Sequence, residues 1–226
     1  MNSNVRQPAA ARARPRESTA DARRQSLVQA AFAAIAQDGF EGLRTRSVAV
    51  RAGVNIATLH YYFPTKEALI DGVAAYLSAQ FRSLHGPTPK PTGSRALDLL
   101  RQEFADVRFY RAQHPDLGSV MLELQLRGRR DRKIANLVDP LLGHWCAGLE
   151  AIVRAGIEEG VFDPRLDPIA AGLLLASAFS SVATQPISDA ALDGVFAELE
   201  RWLSMQSHPR AAHETTALRA GGQPGG

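Results

Sequence analysis

The chain has 226 residues, 45% of them hydrophobic and 22% charged, a length and balance that can bury a substantial core and exclude wholesale disorder. A single cysteine, Cys146, excludes an intramolecular disulfide and a thiolate metal site, and it fits a reducing, cytoplasmic setting. The net charge of +3 is uneven: residues 1–66 hold ten Arg/Lys against four Asp/Glu, so a polyanionic partner is expected for the front end only.

In chain order, residues 1–20 are arginine-rich, hold two prolines and carry no apolar run, which predicts a disordered basic arm rather than a signal peptide. From Thr19 to Gln37 the apolar residues Leu27/Val28, Ala31/Phe32 and Ile35 fall at helical spacing, and Gly39 supplies a stop. "TRSVAVRAGV" predicts a short helix capped by Thr45 with Val48, Ala49 and Ala52 inward, and Gly53 ends it. Asn55 is placed to cap a second short helix, Ile56 to Phe63. From Thr65 a longer helix repeats Leu69, Val73, Tyr76/Leu77 and Phe81, until a proline-rich loop breaks it. Helices are then expected over Ser94 to His114, Pro115 to about Arg127, and a long segment to Glu159 with a fresh start or kink at Asp139-Pro140. Asp167-Pro168 and Ser188-Asp189 open two more. The last twenty residues are Gly/Pro-rich and aperiodic, which predicts a disordered tail. No apolar stretch reaches the roughly 18 residues of a membrane helix. The expectation is an all-α protein of about nine helices, divided into an arm (1–20), a small domain (21–67), a larger one (68–206) and a tail (207–226).

Two helices this short joined through Ala52-Gly53-Val54 have the size and punctuation of a helix-turn-helix, whose second helix enters the DNA major groove. Ala57 and Thr58 are small enough for close approach to base edges, and Ile56 and Thr58 suit thymine methyls or base acceptors. His60, Tyr61 and Tyr62 carry donors on long rings that suit phosphates, while Leu59 and Phe63 face inward. Lys66, at a helix start, suits another phosphate, as do Thr45 and Arg46. The competing reading is an aromatic plug, but four consecutive helical positions turn about 100° each and cannot all face one core.

The combined stretch "TRSVAVRAGVNIATLHYYFPTKEAL" resembles the DNA-binding signature of the TetR-type (tetracycline-repressor-like) transcriptional regulators, over about Arg23 to Leu69. The resemblance implies that Ile56, Ala57, Thr58 and His60 face bases, and that Thr45, Arg46, Tyr61, Tyr62 and Lys66 face phosphates. His60 stands where the family usually has a tyrosine. The resemblance also implies a ligand-responsive repressor acting as a homodimer on a pseudo-palindromic operator in double-stranded DNA. The dimer would form through helices at about 168–185 and 188–205, whose apolar faces a monomer would leave wet. The alternative is that both helices are buried within one protomer.

A small apolar or amphipathic effector is expected in the body, with Tyr110, Glu123, Gln125, His144, Trp145 and Cys146 as candidate pocket residues. No cofactor is expected, and His144 with Cys146 offers too few ligands for a metal. No catalytic motif is present, so an enzyme is not expected. A nonspecific basic architectural DNA-binding protein remains the alternative, and an enzyme with an unlisted pocket chemistry a more remote one.

Overall fold

The computed structural model describes residues 15–204, and within them nine α-helices and no sheet. The arm as far as residue 14 and the expected tail 207–226 lie outside the described residues. Helix α1 (Pro15–Asp38) begins inside the segment expected as arm, so residues 15–20 are helical. It ends at Gly39, whose φ of +66° stops the helix, and a 3-10 turn follows at Phe40–Gly42. Next come α2 (Thr45–Arg51), α3 (Ile56–Tyr62) and α4 (Lys66–Ser83). The body is built from α5 (Arg95–Gln113), α6 (Pro115–Gly128), α7 (Arg132–Glu158), α8 (Pro168–Thr184) and α9 (Asp189–Leu203).

Capping residues set most of these starts. The side chains of Asn55, Thr65, Ser94, Asp131, Asp167 and Ser188 each accept a hydrogen bond from a backbone N–H in the first turn of their helix. Two expectations need correction. Thr45 does not cap α2: it is the first helical residue, and Arg44 holds the extended cap position without a side-chain bond. Nor is there a fresh start at Asp139-Pro140, because α7 runs unbroken through Pro140. Both residues are exposed there, so the missing amide and the proline ring sit on the solvent side.

The buried side chains form two clusters. The first joins Leu27, Ala31 and Ile35 of α1 to Val48, Leu59, Phe63, Leu69 and Val73, and continues into Leu117, Val120 and Leu124 of α6 and Ile134 and Val138 of α7. Packing therefore crosses the expected division at 67/68, which falls inside the first turn of α4. The second cluster fills the space between α5, the later part of α7, α8 and α9 around Phe104, Val153, Phe162, Phe179 and Phe196. Helices α7 and α8 lie very close where Gly172 meets α7: a Cβ there would sit 2.8 Å from the Glu150 amide nitrogen. Arg111 on α5 reaches across to the carbonyls of Gln185 and Ile187, each at 2.9 Å, and to that of Val182, which closes the C-terminal end of α8.

Candidate nucleic-acid interface and internal cavity

The turn between α2 and α3 depends on Gly53, at φ +65°, with the Val54 amide returning to the Ala49 carbonyl at 3.0 Å. Helix α3 then starts on Asn55, whose Oδ1 accepts from the Thr58 amide at 2.8 Å and from the Thr58 hydroxyl at 2.9 Å. An isolated seven-residue helix is unstable in water, so tertiary contacts must hold this one. Leu59 and Phe63, 0% and 1% exposed, pin its inner face into the first cluster. Its outer face is left to solvent: Ile56, Ala57, His60 and Tyr61 are exposed, and Thr58 and Tyr62 are half-buried. Tyr61 is 80% exposed and meets Tyr62 edge-to-face at 5.1 Å between ring centres. Tyr61 leaves most of its ring available to a binding partner, while Tyr62 packs partly against the first cluster.

Lys66 opens α4 directly after α3. Thr65 Oγ1 takes the Ala68 amide at 3.1 Å, which leaves the earlier amides of the helix start pointing outward beside the lysine. The Lys66 ammonium lies 4.9 Å from the centre of the Phe40 ring, and the Arg127 guanidinium of α6 lies 5.0 Å from the same ring. Phe40 is fastened to α6 a second time, because its amide donates to Glu123 Oε2 at 3.1 Å.

A cavity of about 670 Å³ opens in the body between α4, α5, α6, α7 and α8. Phe81, Tyr110, Met121, Trp145 and Phe179 supply much of its apolar wall. Two carboxylates of α5 face it. Asp106, buried, accepts from His85 Nδ1 at 2.9 Å, the Gly86 amide at 2.7 Å and Gln102 Nε2 at 2.8 Å. That hydrogen bond and the negative charge hold the His85 imidazole above its ordinary pKa. Among the described residues Glu103 accepts only from Trp145 Nε1, at 3.1 Å, and burial pushes its carboxyl upward. The Tyr110 hydroxyl donates to the Leu84 carbonyl at 2.8 Å, and burial raises that phenol too.

Residues 27–73 match the sequence profile of the bacterial regulatory proteins of the tetR family. The match covers the pinned short helices and the start of α4. Over 169 residues the chain is 28% identical to the HTH-type transcriptional repressor NicS of Pseudomonas putida, spanning 72% of this chain and 76% of that one. The chain carries a TetR-type DNA-binding domain. A second relative, the HTH-type transcriptional repressor KstR2 of Mycobacterium tuberculosis, is 25% identical over 65% of this chain and 72% of its own length. The fold agrees: a TetR-family regulator from Rhodococcus sp. superposes with a TM-score of 0.69 at 20% identity, covering 80% of this chain and 98% of that structure.

Within this TetR-type domain, the nine residues expected at DNA lie close together in sequence on α2, α3 and the first residue of α4. The pocket residues divide. Tyr110, Gln125, His144 and Trp145 line the cavity, but Glu123 and Cys146 do not. Glu123 turns to the other side of α6 and holds Phe40, while Cys146 packs, half-buried, against the second cluster. Sequence reasoning missed Glu103, Asp106 and His85. A signal was available: Glu103, Asp106 and Tyr110 stand at i, i+3 and i+7, one stripe beside the apolar stripe of the same helix.

Lys66→Ala is expected to weaken binding to every DNA sequence alike. The log-affinity against log-salt slope should become shallower by about one unit per contact. Fluorescence anisotropy titrations at several salt concentrations measure it, and an unchanged slope would remove Lys66 from the phosphate contacts.

Proposed function

We propose that this TetR-type regulator is a ligand-responsive repressor that binds a pseudo-palindromic operator as a homodimer. Helix α3 enters the major groove, with Ile56, Ala57, Thr58 and His60 toward base edges and Thr45, Arg46, Tyr61, Tyr62 and Lys66 toward phosphates. The observation that carries the ligand response is the span of α4. It begins at the DNA-facing surface with Lys66 and lines the cavity with Ser78, Phe81 and Arg82. An occupant that shifts α4 would move the α3 surface with it, and a ligand that binds one arrangement better draws the population toward that arrangement. The dimer is supported by Ile169, Leu173 and Leu174 of α8, which stand 64%, 59% and 56% exposed on a single protomer. The protein acts by binding rather than by turning over a substrate, and in the cytoplasm; the relatives' names as transcriptional repressors support the first.

Selection of bound fragments from a randomised DNA pool tests the reading. A two-fold-related motif with half-sites about one helical turn apart is expected. Strong, salt-sensitive binding that enriches no motif would overturn it in favour of a nonspecific architectural role.

A further inference from the structure

The cavity residues differ in how their charges are settled. Asp106 is answered by three donors, one of them the His85 imidazole. Glu103 is not answered. Its Oε2 takes the neutral Trp145 indole, its Oε1 accepts no hydrogen bond among the described residues, and no cationic side chain forms an ion pair with it. Glu103 is half-buried, and a carboxylate partly removed from water without a cationic partner carries a cost that falls when a cation arrives. The rings of Phe81, Tyr110, Trp145 and Phe179 line the same cavity, Trp145 in direct contact with the carboxylate, and aromatic faces attract positive charge.

The positive groups near the cavity are placed differently. Arg82, His85 and His144 are exposed, and His85 is already committed to Asp106. His114 is half-buried and lies against the Phe109 ring at 5.1 Å. None of them forms an apolar-walled anion site comparable to the carboxylate and its rings. A volume of about 670 Å³ is within the usual range for a small organic ligand.

We propose that the cavity takes an organic cation, an amine carried on an apolar or aromatic body, with its charged nitrogen on Glu103 and among the aromatic rings. This rests on the reading of the cavity as the effector site, and it adds the chemical class that the site selects.

Three probes share one body and differ in charge: phenylbutylamine, phenylbutanol and phenylbutyrate. Their affinities for the full chain are measured by calorimetry near neutral pH. The amine is expected to bind about tenfold or more tighter than the alcohol, and the carboxylate most weakly. In Glu103→Gln, which keeps an oxygen for the Trp145 indole, the preference for the amine should vanish while the alcohol binds as before. That unchanged alcohol affinity also shows the cavity intact. Tightest binding by phenylbutyrate, no charge preference, a preference that survives Glu103→Gln, or no binding of the amine would each overturn the proposal. Release of operator DNA is scored separately. Glu103-dependent amine binding that leaves the operator complex untouched would support the ligand class and sink the effector reading.

Discussion

Phe63→Ala is expected to lower the stability of the fold by about 3–5 kcal/mol, a large part of the roughly 5–15 kcal/mol that holds a typical domain together. The ring closes α3 at its C-terminal cap and is 1% exposed. It lies close against Gly72 of α4, where an added Cβ would sit 3.0 Å from Val28 and 3.2 Å from the ring. The Arg24 guanidinium of α1 stands over it at 5.0 Å. One side chain therefore ties three helices together, and no smaller residue at 63 could reach them all. Alanine would remove one of the two buried side chains, with Leu59, that pin α3, so affinity for all DNA should fall together with stability. Urea unfolding measures the first and anisotropy the second. Tyr61→Ala serves as the control, since that ring is exposed and its loss should leave the urea midpoint in place. A Phe63→Ala midpoint within error of the parent's would show that α3 is held by something else.

The second large effect is on assembly. Leu173→Asp combined with Leu174→Asp is expected to give a monomer with an unchanged helical content. Both side chains are more than half exposed on the protomer, so the change removes little packing within one chain. It would instead bury charge in the proposed α8 contact between copies, without a partner to answer it. Two half-sites bound by linked domains gain an avidity of about 10²–10⁴-fold over one, and operator affinity should fall by that order. Sedimentation velocity and operator titration report the two consequences. A double variant that stays dimeric, or a parent protein that is already monomeric at the same concentration, would remove α8 from the interface.

Much of the fold was legible because its helix boundaries are chemical. Asn55, Thr65, Ser94, Asp167 and Ser188 cap where side-chain oxygens commonly cap, and Gly39 and Gly53, both expected to stop a helix, have a positive φ. Thr45 misled because it is a good capping residue one place too late. The extended backbone that a cap requires is adopted by Arg44. Asp139-Pro140 misled for a related reason. The same dipeptide pattern opens α8, but in α7 both residues lie on an exposed face between turns that Val138 and Leu149 bury, and the helix carries on.

The cavity was less legible. Tyr110, Gln125, His144 and Trp145 stood out as polar groups within apolar runs, and so did Glu123. What the periodicity of α6 does not contain is its rotation about its own axis. Leu117, Val120 and Leu124 face the first cluster, Met121, Leu122 and Gln125 face the cavity, and Glu123 is left facing Phe40. Which polar group reached which side depended on the four helices, α1, α5, α7 and α8, that meet α6.

The bond between the Thr58 hydroxyl and Asn55 carries a consequence for the vocabulary of α3. The hydroxyl spends its one proton inside the protein, 2.9 Å from Asn55 Oδ1. A Thr58 that faces a base edge in this conformation can offer only lone pairs and a methyl group. Lone pairs suit the exocyclic amino groups of adenine and cytosine, and the methyl suits that of thymine. Guanine, which shows two acceptors to the major groove, gains nothing from it. In the proposed DNA complex, the residue that fastens the start of the helix would thereby restrict which letters the helix can read at that point.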